Sequence, residues 1–166
     1  PYGATPGHGI EWARLIVQWA LSSFANRDGA RPYIDAAEHL FARAVDDAWN
    51  VDGAQGLVYT TDWNGMPVVT DRMHWTAAES LNTAATLHAA TGEARYADWY
   101  ATFARYVDEH VIDHEGGSWF HQLDGGNHVI GTVWPGKSDL YHAFQSTLIP
   151  FLDPAVSIAT AVKNAA

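Results

Sequence analysis

Apolar positions recur at helical spacing along most of the chain, and two stretches break the rhythm. Residues 10–26 are apolar almost all round: Ile10, Ala13, Leu15, Ile16, Trp19, Ala20, Leu21 and Phe24 leave little polar face. Such a helix is predicted to be surrounded by protein. Residues 33–48 carry a single stripe instead, with Ala36, Ala37, Leu40, Phe41, Ala44, Val45 and Ala48 opposite Asp35, Glu38, Arg43 and Asp46. Residues 27–32 read as a connector, with Asp28–Gly29 as a turn signal. The pattern then repeats. Residues 75–91 form a dense helix closed by Gly92, and 93–112 a striped one carrying Tyr96, Trp99, Tyr100, Phe103, Tyr106 and Val107. A last helical region at 139–149 is interrupted by Pro150 and Pro154 and followed by 155–163.

The stretches that break the rhythm, 50–72 and 113–137, are rich in glycine and aromatic residues. Each is predicted to hold a short hairpin: 56–60 with 67–69, and 118–123 with 128–133 around Asp124-Gly125-Gly126-Asn127. The order is helix, helix, long loop, twice over, then a helix. His8, His74 and His142 fall at or near the start of the first helix of each unit, at nearly equal intervals. Helix-pair repeats imply a solenoid or a closed toroid, dense helices inside and striped ones outside. The expected architecture is all-α, one domain over 1–166, with the long loops gathered where the inner helices begin. A site there would be built from loop residues and helix N-termini.

Composition narrows the function classes. Apolar residues make up 48% and charged residues 17% of the 166, a globular composition. A net charge of −10 argues against nucleic acid as a partner, and there is no Lys/Arg run for anionic lipid. No apolar run reaches the roughly 20 residues that span a bilayer. Without cysteine there is no disulfide framework and no thiolate nucleophile, which fits a reducing cytoplasm. The start, Pro1-Tyr2-Gly3, is neither an initiating Met nor a signal peptide, so further residues are expected upstream. The 8 Trp, 7 Tyr and 6 Phe fill cores, and the same rings make walls for sugars.

Three segments can carry chemistry. In Pro6-Gly7-His8-Gly9-Ile10-Glu11-Trp12-Ala13-Arg14-Leu15, two glycines permit close backbone approach to a ligand, and His8 and Glu11 share a face. A purely structural alternative makes His8 a neighbour of the helix cap and Glu11 a capping-box residue. Arg14 either pairs with Glu11 or points outward. In His74-Trp75-Thr76-Ala77-Ala78-Glu79, Trp75 and Glu79 share a face, which suits sugar C–H groups and hydroxyls; the alternative is a core Trp beside a buried, hydrogen-bonded Glu. In the run 133–145, Ser138 or Asp139 is a natural helix cap and His142 lies one turn inside; the alternative is a satisfied core histidine. Tyr59, Asp62, Trp63, Arg72, Trp119, His121 and Lys137 are loop residues available to a pocket mouth. His110 and His114 have the spacing of a zinc-ligand pair. They straddle a helix end without a third ligand, so no metal site is expected. Neither a Gly-x-Gly-x-x-Gly loop nor a Walker loop nor a Gly-x-Ser-x-Gly elbow occurs.

The segments 6–15, 74–79 and 136–145, in this order and spacing, resemble the N-acylglucosamine 2-epimerase superfamily. Gly117-Ser118-Trp119-Phe120-His121-Gln122-Leu123-Asp124 and Thr147-Leu148-Ile149-Pro150 are more similar to its mannose isomerase and sulfoquinovose isomerase branch. The resemblance implies the C-terminal part of an (α/α)6 barrel, with the N-terminal half of the barrel, another active-site histidine included, as a missing partner. It implies aldose–ketose isomerisation of a monosaccharide without cofactor or metal, through a cis-enediolate. His8 and His142 would be the catalytic pair, His142 relaying the proton between carbons and His8 serving ring opening, or the reverse. Glu11 and Glu79 would orient hydroxyls or polarise a histidine, Trp75 would stack on the sugar, and Arg14 would support binding. The alternatives are a sugar 2-epimerase, a glycoside hydrolase using Glu11 and Glu79, and a non-catalytic carbohydrate-binding fragment.

Overall fold

The computed structural model describes residues 3–165; Pro1, Tyr2 and Ala166 lie outside the described residues. Among the described residues, six α-helices are joined by loops, two of which hold small antiparallel sheets. The helices are α1 (Pro6–Ser23), α2 (Arg27–Ala48), α3 (His74–Thr91), α4 (Ala94–Tyr106), α5 (Leu140–Ser146) and α6 (Ile158–Ala165). Helix α1 packs against both α2 and α3, and α3 packs in turn against α4 and α5. Helices α1, α3 and α5 therefore line up as one layer, with α2 and α4 behind. Helix α3 is buried on nearly every side as far as Leu87, and much of what it buries is polar, Thr76, Glu79, Ser80, Asn82, Thr83 and Thr86 among it. An aromatic cluster of Phe41, Trp49, Trp99, Phe103 and Tyr106 joins α2 to α4, with Trp49 edge-on to Phe103 at 5.0 Å between centroids.

Helix α1 starts four residues earlier than its apolar pattern does. Pro6 opens it, and proline's fixed φ suits a first turn where no N–H bond is lost. His8 is consequently inside the first turn of the helix. Gly7 is required for helix packing and not for approach to a ligand. A Cβ there would stand 2.5 Å from the Thr76 methyl and 2.9 Å from the Trp75 ring on α3. Thr83 adds a buried hydrogen bond across the same seam to the Ile10 carbonyl, at 2.8 Å.

The expected connector at 27–32 is instead the first turns of α2. The Asn26 side chain accepts from the Gly29 N–H at 3.0 Å, and Asp28 in the first turn complements the helix dipole. Capping overrides the Asp-Gly turn signal. The helix expected at 93–112 is α4 continued by a widened π turn, Val107–Val111. The last region breaks into α5, a 3₁₀ turn Ile149–Phe151 and α6, as its prolines dictate.

Both hairpins form, with shorter ladders than the pattern suggests. In the first, β1 (Thr60–Thr61) pairs with β2 (Pro67–Val69), with an irregularity in register. In the second, β4 (Gln122–Leu123) pairs with β5 (Val129–Ile130). Unexpected is β3 (Arg72–Met73), which adds to β4 and makes a three-stranded sheet that ties the two loops together. Two residues are too few to show alternation in a sequence. Arg72, expected at a pocket mouth, is buried instead. Its guanidinium grips both Asp52 carboxylate oxygens at 2.7 and 2.9 Å and the Gln55 carbonyl at 3.1 Å, closing the 52–55 turn.

Candidate active site

The N-terminal ends of the three inner helices converge beneath the loops. His8 and Glu11 come from the first turns of α1, Trp75 from the first turn of α3, and Tyr141 and His142 from α5; Tyr59 and Trp134 come from the loops. Together they line an open pocket of about 370 Å³. The Trp75 ring neighbours both imidazoles, 4.9 Å from His8 and 5.9 Å from His142, centroid to centroid. Tyr59 stands edge-on to Trp75 at 6.2 Å and to Trp134 at 6.5 Å. The pocket thus combines aromatic rings with two histidines and is sized for a small polar ring.

Behind the wall runs a buried chain of charge. The Arg14 Nε–H donates to Glu79 Oε2 at 2.9 Å, and Glu79 Oε1 faces His142 Nδ1 at 3.0 Å. Arg14 also donates from Nη1 to Gln18 at 3.0 Å. Glu79 is fully buried. Burial pushes its carboxyl group up, but the hydrogen bond from His142 and the Arg14 guanidinium outweigh that and hold it below the ordinary carboxylate range. An ionised Glu79 can only accept, so Nδ1 of His142 carries the hydrogen. Its Nε2 is left as the basic nitrogen.

Four of the six expected site residues, His8, Glu11, Trp75 and His142, therefore share one pocket. Arg14 and Glu79 do not line it. Arg14 neither pairs with Glu11 nor points outward, and Glu79 is spent on Arg14 and His142, so both reach a bound molecule only through His142. Glu79 being buried, Glu11 and Glu79 do not form a carboxylate pair facing a cleft, which removes the geometric basis for glycoside hydrolysis. Trp134 and Tyr141 join the site without having been singled out. Tyr141's place beside His142 on one helix turn was a usable signal, whereas Trp134 depends on loop folding. Gln122 seats Trp134: its buried side chain accepts from the N–H groups of Val133 at 2.9 Å and Trp134 at 3.2 Å.

Beside the pocket, His74, His121 and Asp139 each bring one donor atom to a common point, all within 4.8 Å of one another. Burial, and next the adjacent His121, draw His74 down to about 4, with Asp139 opposing. The spaced histidines do not share partners. His110 contacts Gln55 at 3.3 Å, and His114 contacts the Asp108 carbonyl at 2.8 Å.

A layer of inner helices that present imidazoles at their loop-bearing ends, backed by outer helices, defines part of an α/α-barrel enzyme. The chain belongs to the N-acylglucosamine 2-epimerase (GlcNAc 2-epimerase) family, whose model matches residues 1–146. It is 47% identical over 165 residues to a D-mannose isomerase of Pseudomonas cannabina pv. alisalensis and 44% identical over 165 residues to one of Thermobifida fusca. In each case 99% of this chain is covered, but it spans only 40% of the relative's length. Among solved structures, a D-mannose isomerase superposes with a TM-score of 0.78 at 29% identity, covering 90% of this chain and 37% of the other. The fold is accordingly the C-terminal portion of an (α/α)6 barrel. No helix among the described residues is long and apolar enough to cross a membrane.

Proposed function

We propose that this chain supplies the histidine-bearing part of a sugar aldose–ketose isomerase of the mannose/fructose type, acting in the cytoplasm together with the remainder of its barrel. The observation that carries the reading is the convergence of His8 and His142 on one pocket beside Trp75, with His142 oriented by an ionised, buried Glu79. Moving a proton between C2 and C1 of an open-chain sugar needs a positioned base and a group that protonates or stabilises the enediolate oxygen. His142 Nε2 is the base, and its charge after accepting the proton is stabilised by Glu79. His8 handles protons at oxygen, in ring opening and in the enediolate. Trp75 and Tyr59 stack against the sugar's C–H face, and Glu11 takes a hydroxyl. Proton transfer rests on imidazoles and not on metal-bound oxygen. The 47% and 44% identities to D-mannose isomerases support the isomerase outcome.

The family also includes 2-epimerases, whose enediolate is reprotonated at C2 on the opposite face. Incubating the chain, joined to the rest of its barrel, with D-mannose and following the product by NMR tells them apart. Fructose is expected; glucose would establish the epimerase. H142A is expected to lose roughly 10²- to 10⁴-fold in kcat/KM, the usual worth of a general base. Undiminished turnover by H142A would refute the assignment.

A further inference from the structure

We propose that His74, His121 and Asp139 form a binding site for a divalent cation of the zinc class, which clamps the start of α5 to the three-stranded sheet. The three residues come from different elements: the first residue of α3 where it leaves β3, the residue before β4, and the cap of α5. None of them lines the sugar pocket. The inference therefore does not depend on the isomerase reading.

Two observations point to a ligand. One donor atom from each residue falls within 4.8 Å of the others. The His74 Nε2 to Asp139 Oδ2 separation is 3.6 Å, too long for a hydrogen bond, whereas two ligands of one tetrahedral zinc ion stand about 3.3 Å apart. Independently, His74 is 98% buried by its 2% exposure, yet neither ring nitrogen has a hydrogen-bond partner. A buried imidazole with both nitrogens unpaired is unusual, and a metal bond satisfies one of them.

The other two residues are already held in place. Asp139 uses Oδ1 to accept the Tyr141 N–H at 2.8 Å, which leaves Oδ2 facing His74. The His121 ring is stacked on Trp134 at 5.2 Å and 14°, and its carbonyl accepts the His74 N–H at 3.2 Å. Two imidazoles and one carboxylate suit zinc, cobalt or nickel better than magnesium or calcium. Because Asp139 opens the helix that carries His142, and the His74 and His142 rings are 6.1 Å apart, the ion would stiffen the catalytic helix from behind.

The test is a titration of the full chain with ZnCl₂ by calorimetry and with CoCl₂ by visible absorption. The variants are H121A, D139N and, as a control at an exposed histidine, H114A. Asparagine caps a helix as well as aspartate does, so D139N keeps α5 while removing the charged ligand. Wild type and H114A are expected to bind one ion with a tetrahedral-type cobalt spectrum. Each of the other two should bind at least ~100-fold more weakly with an unchanged far-UV circular dichroism spectrum, since even outer-shell losses cost 10–100-fold. No binding by wild type, or binding that survives either substitution, would overturn the site.

Discussion

Glu79 illustrates how one buried carboxylate serves two partners, a guanidinium and an imidazole. Replacing it with glutamine leaves the Arg14 guanidinium, 4% exposed, without a countercharge, a change that typically costs about 3–5 kcal/mol. Chemical denaturation of E79Q is expected to show a loss of that order. The sign of the pH dependence follows from its depressed pKa. The stabilisation is fully present above the unfolded carboxyl value near 4.5 and is lost as pH falls through the lower folded value. Wild type should therefore lose stability steeply below about pH 4.5, and E79Q should lose this component of the slope. Gly7 makes a second residue-scale prediction. Alanine normally stabilises a helix interior by about 0.5–1 kcal/mol. Here its methyl would meet Thr76 at 2.5 Å, so G7A is expected to destabilise by roughly 1–3 kcal/mol in a thermal melt. At this scale the histidines and Trp75 could be read from their motifs. The Arg14–Glu79 bond could not, because its partners are 65 positions apart and meet only through the packing of α1 on α3.

At the scale of elements, the loops are the part least visible in the chain's pattern. Helix α2 announces itself by its apolar stripe, and α3 by a dense run closed at Gly92, whose left-handed backbone ends it. Strand β3 has no such signal, since two residues cannot alternate, and its pairing with β4 arises only when both loops fold over the inner helices. Gln122 organises this region. Besides holding Val133 and Trp134, its amide donates to Asp71 at 2.6 Å and to Thr132 at 3.0 Å. Q122L is expected to release the 131–137 loop and Trp134 from the pocket. On the proposed isomerase reading, this should raise KM for mannose in the assembled barrel with less effect on kcat, whereas an equal fall in kcat would contradict a role in seating the wall.

On the scale of the whole molecule, the inner layer is open at its ends. Helix α1 exposes Trp12 (59%) and Trp19 (51%), and α5 and the turn after it expose Leu140, Phe144 and Phe151. Trp19 is one of the residues by which α1 reads as an interior helix in the sequence, and interior is what it would be in a longer barrel such as that of the relatives, 40% of whose length is spanned here. Such apolar faces are expected to bind a dye such as ANS and to make the chain elute larger than a monomer in size exclusion, with both signals falling when the N-terminal part of the barrel is supplied. A clean monomer without dye binding would argue that the faces are covered in another way.

The Arg14–Glu79–His142 chain has a bearing on the life of the enzyme at temperature. Its three members sit on three separate helices, so the basic nitrogen keeps its tautomer only while all three remain docked. Slight loosening of α5, the shortest of the three, would leave the backbone folded and the imidazole free to rotate. Heat should therefore extinguish turnover several degrees before the cooperative melt, because catalysis records the docking of helices and not merely their presence.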